Sequence, residues 1–284
     1  MAPSPLVIER DRFLRQSDGS QFDWFGHIDF MLFWKSLADG FPIEPHLDAR
    51  QVVEDQVVVT LMMAHFIEHR DPASQGERFF AHIKPFAQAL AVKNWYWMPI
   101  VFADAQVIMP DRGHQQNFLQ RCAAEFAGES NVLPSLGNEL SKNGVDASIF
   151  SKPSGNLWSR GSEVGDTAPY RPGWDWKEWH PRRDWPKVLF GNDDAWYVKE
   201  GIDAGGTVLD TSMPCIVTEP IGFWDRDVPN RRSSDPNLAR VIGGTARYFA
   251  RGVNIMSEEG LHSDPWTPNT LLCAQVMARA MRQP

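Results

Sequence analysis

A chain of 284 residues, 43% of them hydrophobic, is long enough to bury the core of one large domain. Its net charge is −8, and the densest basic spots are only the pairs Arg182-Arg183 and Arg231-Arg232. That argues against a phosphate-tracking surface, so nucleic acid is not an expected partner.

Residues 1–20 read as an N-terminal extension and 21–284 as one domain in which β-like and helix-like runs alternate. The first strand is expected at Asp23–Ile28 and the second at Val57–Met63, whose unbroken apolar character suits a strand covered on both faces. Phe79, Phe80, Ile83, Phe86, Ala87 and Leu90 then fall at helical spacing. A third strand, Tyr96–Phe102, is followed by a stripe of Phe118, Leu119, Cys122, Ala123 and Phe126. Val132–Leu136 is the fourth strand and runs into Gly137-Asn138-Glu139. Leu157–Arg160 and Trp176–His180 are candidates for strands five and six, between stretches rich in Gly, Pro and Ser. A helix over Asp194–Ala204 leads to strand seven, Pro214–Glu219. Leu238, Val241, Ile242, Thr245 and Phe249 form another helical stripe, Val253–Met256 is strand eight, and a helix over Thr270–Met281 closes the chain. Eight strands alternating with helices predict an α/β fold, a single (β/α)8 TIM barrel with some long βα loops.

Such a barrel carries its active site at the C-terminal ends of the strands. Strand four ends in Asn138-Glu139 and strand seven in Thr218-Glu219. Asp104 follows strand three, and Glu258 and Glu259 follow strand eight. A carboxylate that ends an apolar strand stands at the barrel mouth, where it meets water or substrate. Two carboxyls from opposite sides of a barrel suit glycosidic bond cleavage: one protonates the leaving oxygen while the other attacks or activates water. The 12 Trp add flat apolar faces of the kind that sugar rings stack on.

Gly137-Asn138-Glu139 together with Pro214-Cys215-Ile216-Val217-Thr218-Glu219-Pro220 resembles clan A of the glycoside hydrolases, the cellulase-like and mannanase-like barrels. The resemblance implies that Glu139 is the acid/base, Glu219 the nucleophile, and Asn138 a ligand of the sugar hydroxyl beside the reacting carbon. It also places Trp179 and His180 at the end of strand six, where His180 would orient the nucleophile. The chain departs from the clan in two places. Ala64-His65-Phe66 stands on strand two where an Arg is usual, with His65 as its replacement, and Ser257-Glu258-Glu259 replaces a Trp after strand eight. His65, Asp104, Glu258 and Trp224 complete the expected substrate contacts. The implied activity is retaining hydrolysis of β-linked glycans, with an oligo- or polysaccharide as partner.

Two other readings stay open. One is a barrel that binds carbohydrate without cleaving it, as a recognition module of a larger assembly. The other is a zinc-dependent hydrolase using His65-Phe66-Ile67-Glu68-His69, which matches the pattern H-x-x-E-H. Otherwise neither a cofactor nor a metal is expected. Cys122, Cys215 and Cys273 each sit in an apolar stretch and read as buried free thiols. The N-terminus shows no basic segment followed by an apolar one, and no apolar run reaches the roughly 18–20 residues of a membrane span. The expected locations are the cytoplasm or a larger particle that delivers the chain.

Overall fold

The computed structural model describes residues 2–163, 173–179, 213–218, 236–249 and 251–282. The expected helix 194–204 lies outside these residues.

The chain opens with a small antiparallel sheet of β1 (Leu6–Glu9), β2 (Arg12–Arg15) and β3 (Gln21–Phe22). Seven further strands follow: β4 (Trp24–Ile28), β5 (Val57–Leu61), β6 (Tyr96–Phe102), β7 (Ser135–Gly137), β8 (Lys177–Trp179), β9 (Cys215–Val217) and β10 (Gly252–Ile255). They form one sheet in the order β7-β6-β5-β4-β10-β9-β8, with every pair parallel. Its two edges meet at Ser159, which bridges in parallel to Ser135 on one side and to Trp176 on the other. The ring closes there, with Ser159 as the whole of strand five. Every residue of β4, β5 and β6 is buried, as a sheet sealed on both faces requires.

The helices are α1 (Leu32–Asp39), α2 (Ile43–Asp48), α3 (His65–Glu68), α4 (Pro72–Gln75), α5 (Glu77–Val92), α6 (Ala105–Ile108), α7 (Arg112–Phe126), α8 (Pro236–Phe249), α9 (Glu258–His262) and α10 (Pro268–Arg282). None among the described residues is long and apolar enough to cross a membrane. Helix α5 buries the six residues expected of it, and α7 buries Phe118, Leu119, Cys122 and Phe126. Helices α1 and α2 are not in the sequence reading. The run from Trp24 to Trp34 is so densely apolar that no period separates strand from helix. All three Cys are free and buried.

The N-terminal sheet stoppers the bottom of the ring. Phe13 of β2 lies 5.7 Å from Trp24 and 6.3 Å from Trp176, and those two indoles are 5.2 Å apart. The Trp24 indole N–H donates to Asn254 Oδ1 at 2.8 Å, so the polar edge of this ring is satisfied inside the barrel. Gly26 leaves the room: a Cβ there would meet Asn254 Oδ1 at 2.0 Å.

Asp29, just past β4, is fully buried in a polar cluster on α2. His46 Nε2 donates to Asp29 Oδ2 at 2.6 Å, Arg50 Nε stands 3.3 Å away, and His27 Nε2 stands 3.5 Å away. Burial works against the ionised form, yet the Arg50 guanidinium and the two imidazoles hold the Asp29 carboxyl well below the usual range. Arg50 continues outward, donating to the Asp264 carbonyl at 2.6 Å and lying 5.2 Å from the Trp266 ring. The cluster ties the first strand to both the first and the last connecting segments.

Removing one partner of a buried ion pair strands the other charge. Asp29→Asn is therefore expected to lower unfolding free energy by about 3–5 kcal/mol in urea melts at neutral pH. Phe13→Ala empties the stopper and should lower it by about 3–5 kcal/mol in the same assay.

Candidate active site

The C-terminal ends of the strands face away from the stopper. At the end of β7 the Asn138 N–H still donates to the Phe102 carbonyl at 2.9 Å, which carries the ladder one residue past Gly137. Glu139 then turns into the left-handed region with φ 46°. A non-glycine residue there costs on the order of 1–3 kcal/mol and needs a surrounding that fixes it. That surrounding is explicit. The Asn143 N–H donates to the Glu139 carbonyl at 2.9 Å, Asn143 Nδ2 donates to the Asn138 carbonyl at 2.7 Å, and the Leu140 N–H donates to the Ser162 carbonyl at 3.1 Å. The Glu139 N–H points at Ser162 Oγ, 3.4 Å away. The turn leaves the Glu139 side chain only 11% exposed, at the barrel mouth, where Lys142 Nζ pairs with its Oε2.

Ser162 also sets Asn138. Its hydroxyl donates to Asn138 Oδ1 at 2.8 Å, which decides the way the amide faces. Ser162 follows Gly161, whose φ of 96° bends the chain sharply after the one-residue strand five. A Cβ at Gly161 would come within 2.2 Å of the Gly137 carbonyl oxygen, so only glycine lets the two backbones approach this closely.

The other expected contacts fall in different places. Asp104 is at the mouth but mostly buried, and its Oδ2 accepts the Phe66 N–H at 3.0 Å. Burial moves the Asp104 carboxyl up, against the pull of that bond and of nearby His65. Its visible work is to pin the loop after β5, which leaves Phe66 57% exposed at the rim. His65 starts α3 on the same loop. Trp179 does not fit its expected role: it is 1% exposed and packs with Phe25, Val217, Val253 and Met277 in the layer between strands and outer helices. Strand alternation explains this. Trp176 faces the interior against Trp24, so Trp179, three positions on, faces out. His180, Glu219 and Trp224 lie outside the described residues, as does the side chain of Glu258, whose backbone begins α9. Thr218, immediately before Glu219 in sequence, is buried and its N–H donates to the Trp179 carbonyl at 3.0 Å.

The H-x-x-E-H segment forms a single helical turn, with the His65 and His69 rings 4.8 Å apart. Glu68 is turned to Arg70 at 3.0 Å and toward His262 at 3.8 Å. Among the described residues no group of three His, Cys, Asp or Glu is arranged to hold a metal ion.

Sequence reading passed over three residues at this end: Ser162, Lys142 and Glu178. Glu178 carried a legible signal, since it shares inward parity with Trp176 two positions before it. It is fully buried, and Ser135 Oγ donates to its Oε1 at 2.5 Å. Burial pushes the Glu178 carboxyl up to about 7, only partly offset by hydrogen bonds from Ser135 and Ser159.

No known family's sequence profile matches this chain, and no curated protein sequence does. Solved structures do. The fold is that of glycoside hydrolase barrels, as the clan A resemblance implied. A β-glucanase from Saccharophagus degradans, solved with cellotetraose, superposes with a TM-score of 0.65 at 12% identity, covering 99% of this chain and 95% of that one. A structure described as a glycoside hydrolase gives 0.63 at 14% identity, covering 91% of this chain and 66% of that one, just under two thirds of its length. An exo-β-1,4-mannosidase from Opitutaceae bacterium strain TAV5 gives 0.60 at 11% identity, with 94% of this chain and 57% of that one covered.

Between the ordinary carboxyl value of 4.5 and about 7, folded Glu178 keeps a proton that the unfolded chain releases. Stability is therefore full below that window and is lost as pH rises through it. At about 1.4 kcal/mol per unit the loss amounts to about 3 kcal/mol. Denaturation across pH 4–8 should show this fall in the wild type, and Glu178→Gln should flatten it.

Proposed function

We propose that this chain is a retaining hydrolase of β-linked glycans that works through a covalent glycosyl-enzyme intermediate. The observation that carries this reading is the strained turn at the end of strand four, which presents Asn138 and Glu139 at the mouth of a glycosidase-like barrel. Evolution keeps costly backbone where a side chain has to point in one direction. In this reading Asn138, whose Oδ1 accepts from Ser162, binds the sugar hydroxyl beside the reacting carbon.

In this mechanism Glu219 attacks the anomeric carbon while Glu139 gives its proton to the leaving oxygen. Glu139 then takes a proton from the water that releases the sugar. Lys142 bears on both steps. Its ammonium sits on the Glu139 carboxylate, and an arriving glycosidic oxygen has to displace it. That same contact favours the second reading, a barrel that holds a glycan without cleaving it. The bound sugar would then be met by Asn138, the exposed ring of Phe66 and the loop after β5.

The test is turnover of a panel of β-glucan, mannan, xylan and aryl β-glycosides by wild type, Glu139→Gln and Glu219→Gln. Loss of an acid/base group is expected to cost about 10²–10⁴ in kcat, and loss of the nucleophile at least as much. On an aryl glycoside with a good leaving group Glu139→Gln should still give a burst, because that step no longer needs the acid. Glycan binding without turnover, unchanged by either substitution, would overturn the hydrolase and leave the recognition barrel.

A further inference from the structure

Glu178 lies in the barrel interior, and its partners among the described residues are the buried Ser135 and Ser159. Its surroundings nevertheless form a continuous path to the candidate site. Glu178 accepts from Ser135 Oγ on strand four at 2.5 Å and from the hydroxyl of Ser159, the one residue of strand five. Besides its bond with Glu178, Ser159 Oγ accepts the Gly161 N–H at 3.0 Å. Gly161 holds the left-handed bend, and the Ser162 N–H that follows donates to the Gly137 carbonyl at 3.0 Å. Ser162 then fixes the Asn138 amide at 2.8 Å and faces the Glu139 N–H. Each hydroxyl has one proton to give, so the acceptor at Glu178 decides which lone pairs of Ser159 face Gly161.

We infer that Glu178 is a positioning residue: through Ser159, Gly161 and Ser162 it sets the direction of Asn138 and Glu139. Three observations carry this together. The carboxyl is buried where an apolar side chain would be the stable choice. From β8 it bonds Ser135 on β7 and Ser159, the residue that closes the ring between them. The segment it touches has only one bridge to each neighbouring strand, so its hydroxyl bonds add to the few backbone bonds that Ser159 and Ser162 make with residues 134–140. Burial raises the carboxyl to about 7, so at acid pH it is uncharged, the form in which burial costs least.

The catalytic part of this inference rests on the proposed hydrolase; the structural part does not. Two measurements separate them. Hydrogen exchange of peptides spanning 135–145 and 157–163 is followed in wild type, Glu178→Gln, Glu178→Leu and Ser159→Ala, and kcat and KM are measured on the substrate that the panel identifies. Glu178→Leu and Ser159→Ala are expected to speed exchange in both segments by about 10-fold or more while β4–β6 stay protected. Both should lower kcat by up to about 100-fold, the scale of a 1 Å misplacement, with KM within a few-fold. Glu178→Gln, whose amide oxygen still accepts, should recover most of both. Exchange in 135–145 unchanged in both variants would overturn the inference. So would a uniform rise across β4–β6, which marks general destabilisation. If the wild type cleaves nothing in the panel, the hydrolase fails while the exchange result still decides whether Glu178 controls this loop. Should Glu178→Leu fail to fold, Ser159→Ala decides alone.

Discussion

The parallel ring has to close, and it closes through one short segment, Trp158 to Ser162, with Ser159 bridging both edges. A parallel sheet left open at β7 and β8 would expose two rows of unpaired backbone groups, and Ser159 bridges both. Everything distinctive at the mouth follows from this thin closure. Strand five is short, so Gly161 lies close against Gly137, and the hydroxyls of Ser159 and Ser162 add bonds to those of the backbone. The bottom of the ring has no such weakness. There Phe13, Trp24 and Trp176 fill the interior with ring contacts, and one indole N–H finds Asn254.

Two buried carboxyls show how the same burial yields opposite results. Asp29 and Glu178 are both removed from water. Asp29 meets an arginine and two histidines, so its charge is favoured and its carboxyl drops below the usual range. Among the described residues Glu178 meets the hydroxyls of Ser135 and Ser159, so desolvation wins and its carboxyl rises. The first behaves as a fixed anion that fastens a strand to its helix. The second is bonded to hydroxyls with no cation paired to it among the described residues, and its ionisation pulls stability down as pH rises.

At 10–14% identity, little but pattern survives between this chain and the solved barrels it superposes on. That is physically reasonable. A (β/α)8 fold asks for apolar strands, amphipathic helices and turns in a fixed order, and many side-chain sets of suitable volume satisfy it. The mouth is less tolerant, because a carboxylate held in one direction needs its own backbone geometry. It is there, at Glu139, that the described chain shows a left-handed glutamate held by four neighbouring hydrogen bonds.

The sequence by itself determined the fold class. Short, largely apolar runs such as Val57–Leu61 and Tyr96–Phe102 read as strands covered on both faces, and the stripes of α5 and α7 read as helices with one buried side. It also marked Asn138-Glu139, since an apolar strand that stops at a charge has to stop at the mouth. It could not separate β4 from α1, because the residues from Trp24 to Trp34 are buried almost throughout and period vanishes when every face is covered. Tertiary structure alone decided that Trp179 faces outward, that Asp104 pins a loop and that Ser162 orients Asn138. Each of these depends on where a second strand lies across the ring, and separations such as that from Ser135 to Glu178 have no local signature in the chain. Periodicity reports burial along one element, whereas a site is made by distances between elements, and those distances exist only once the ring has closed.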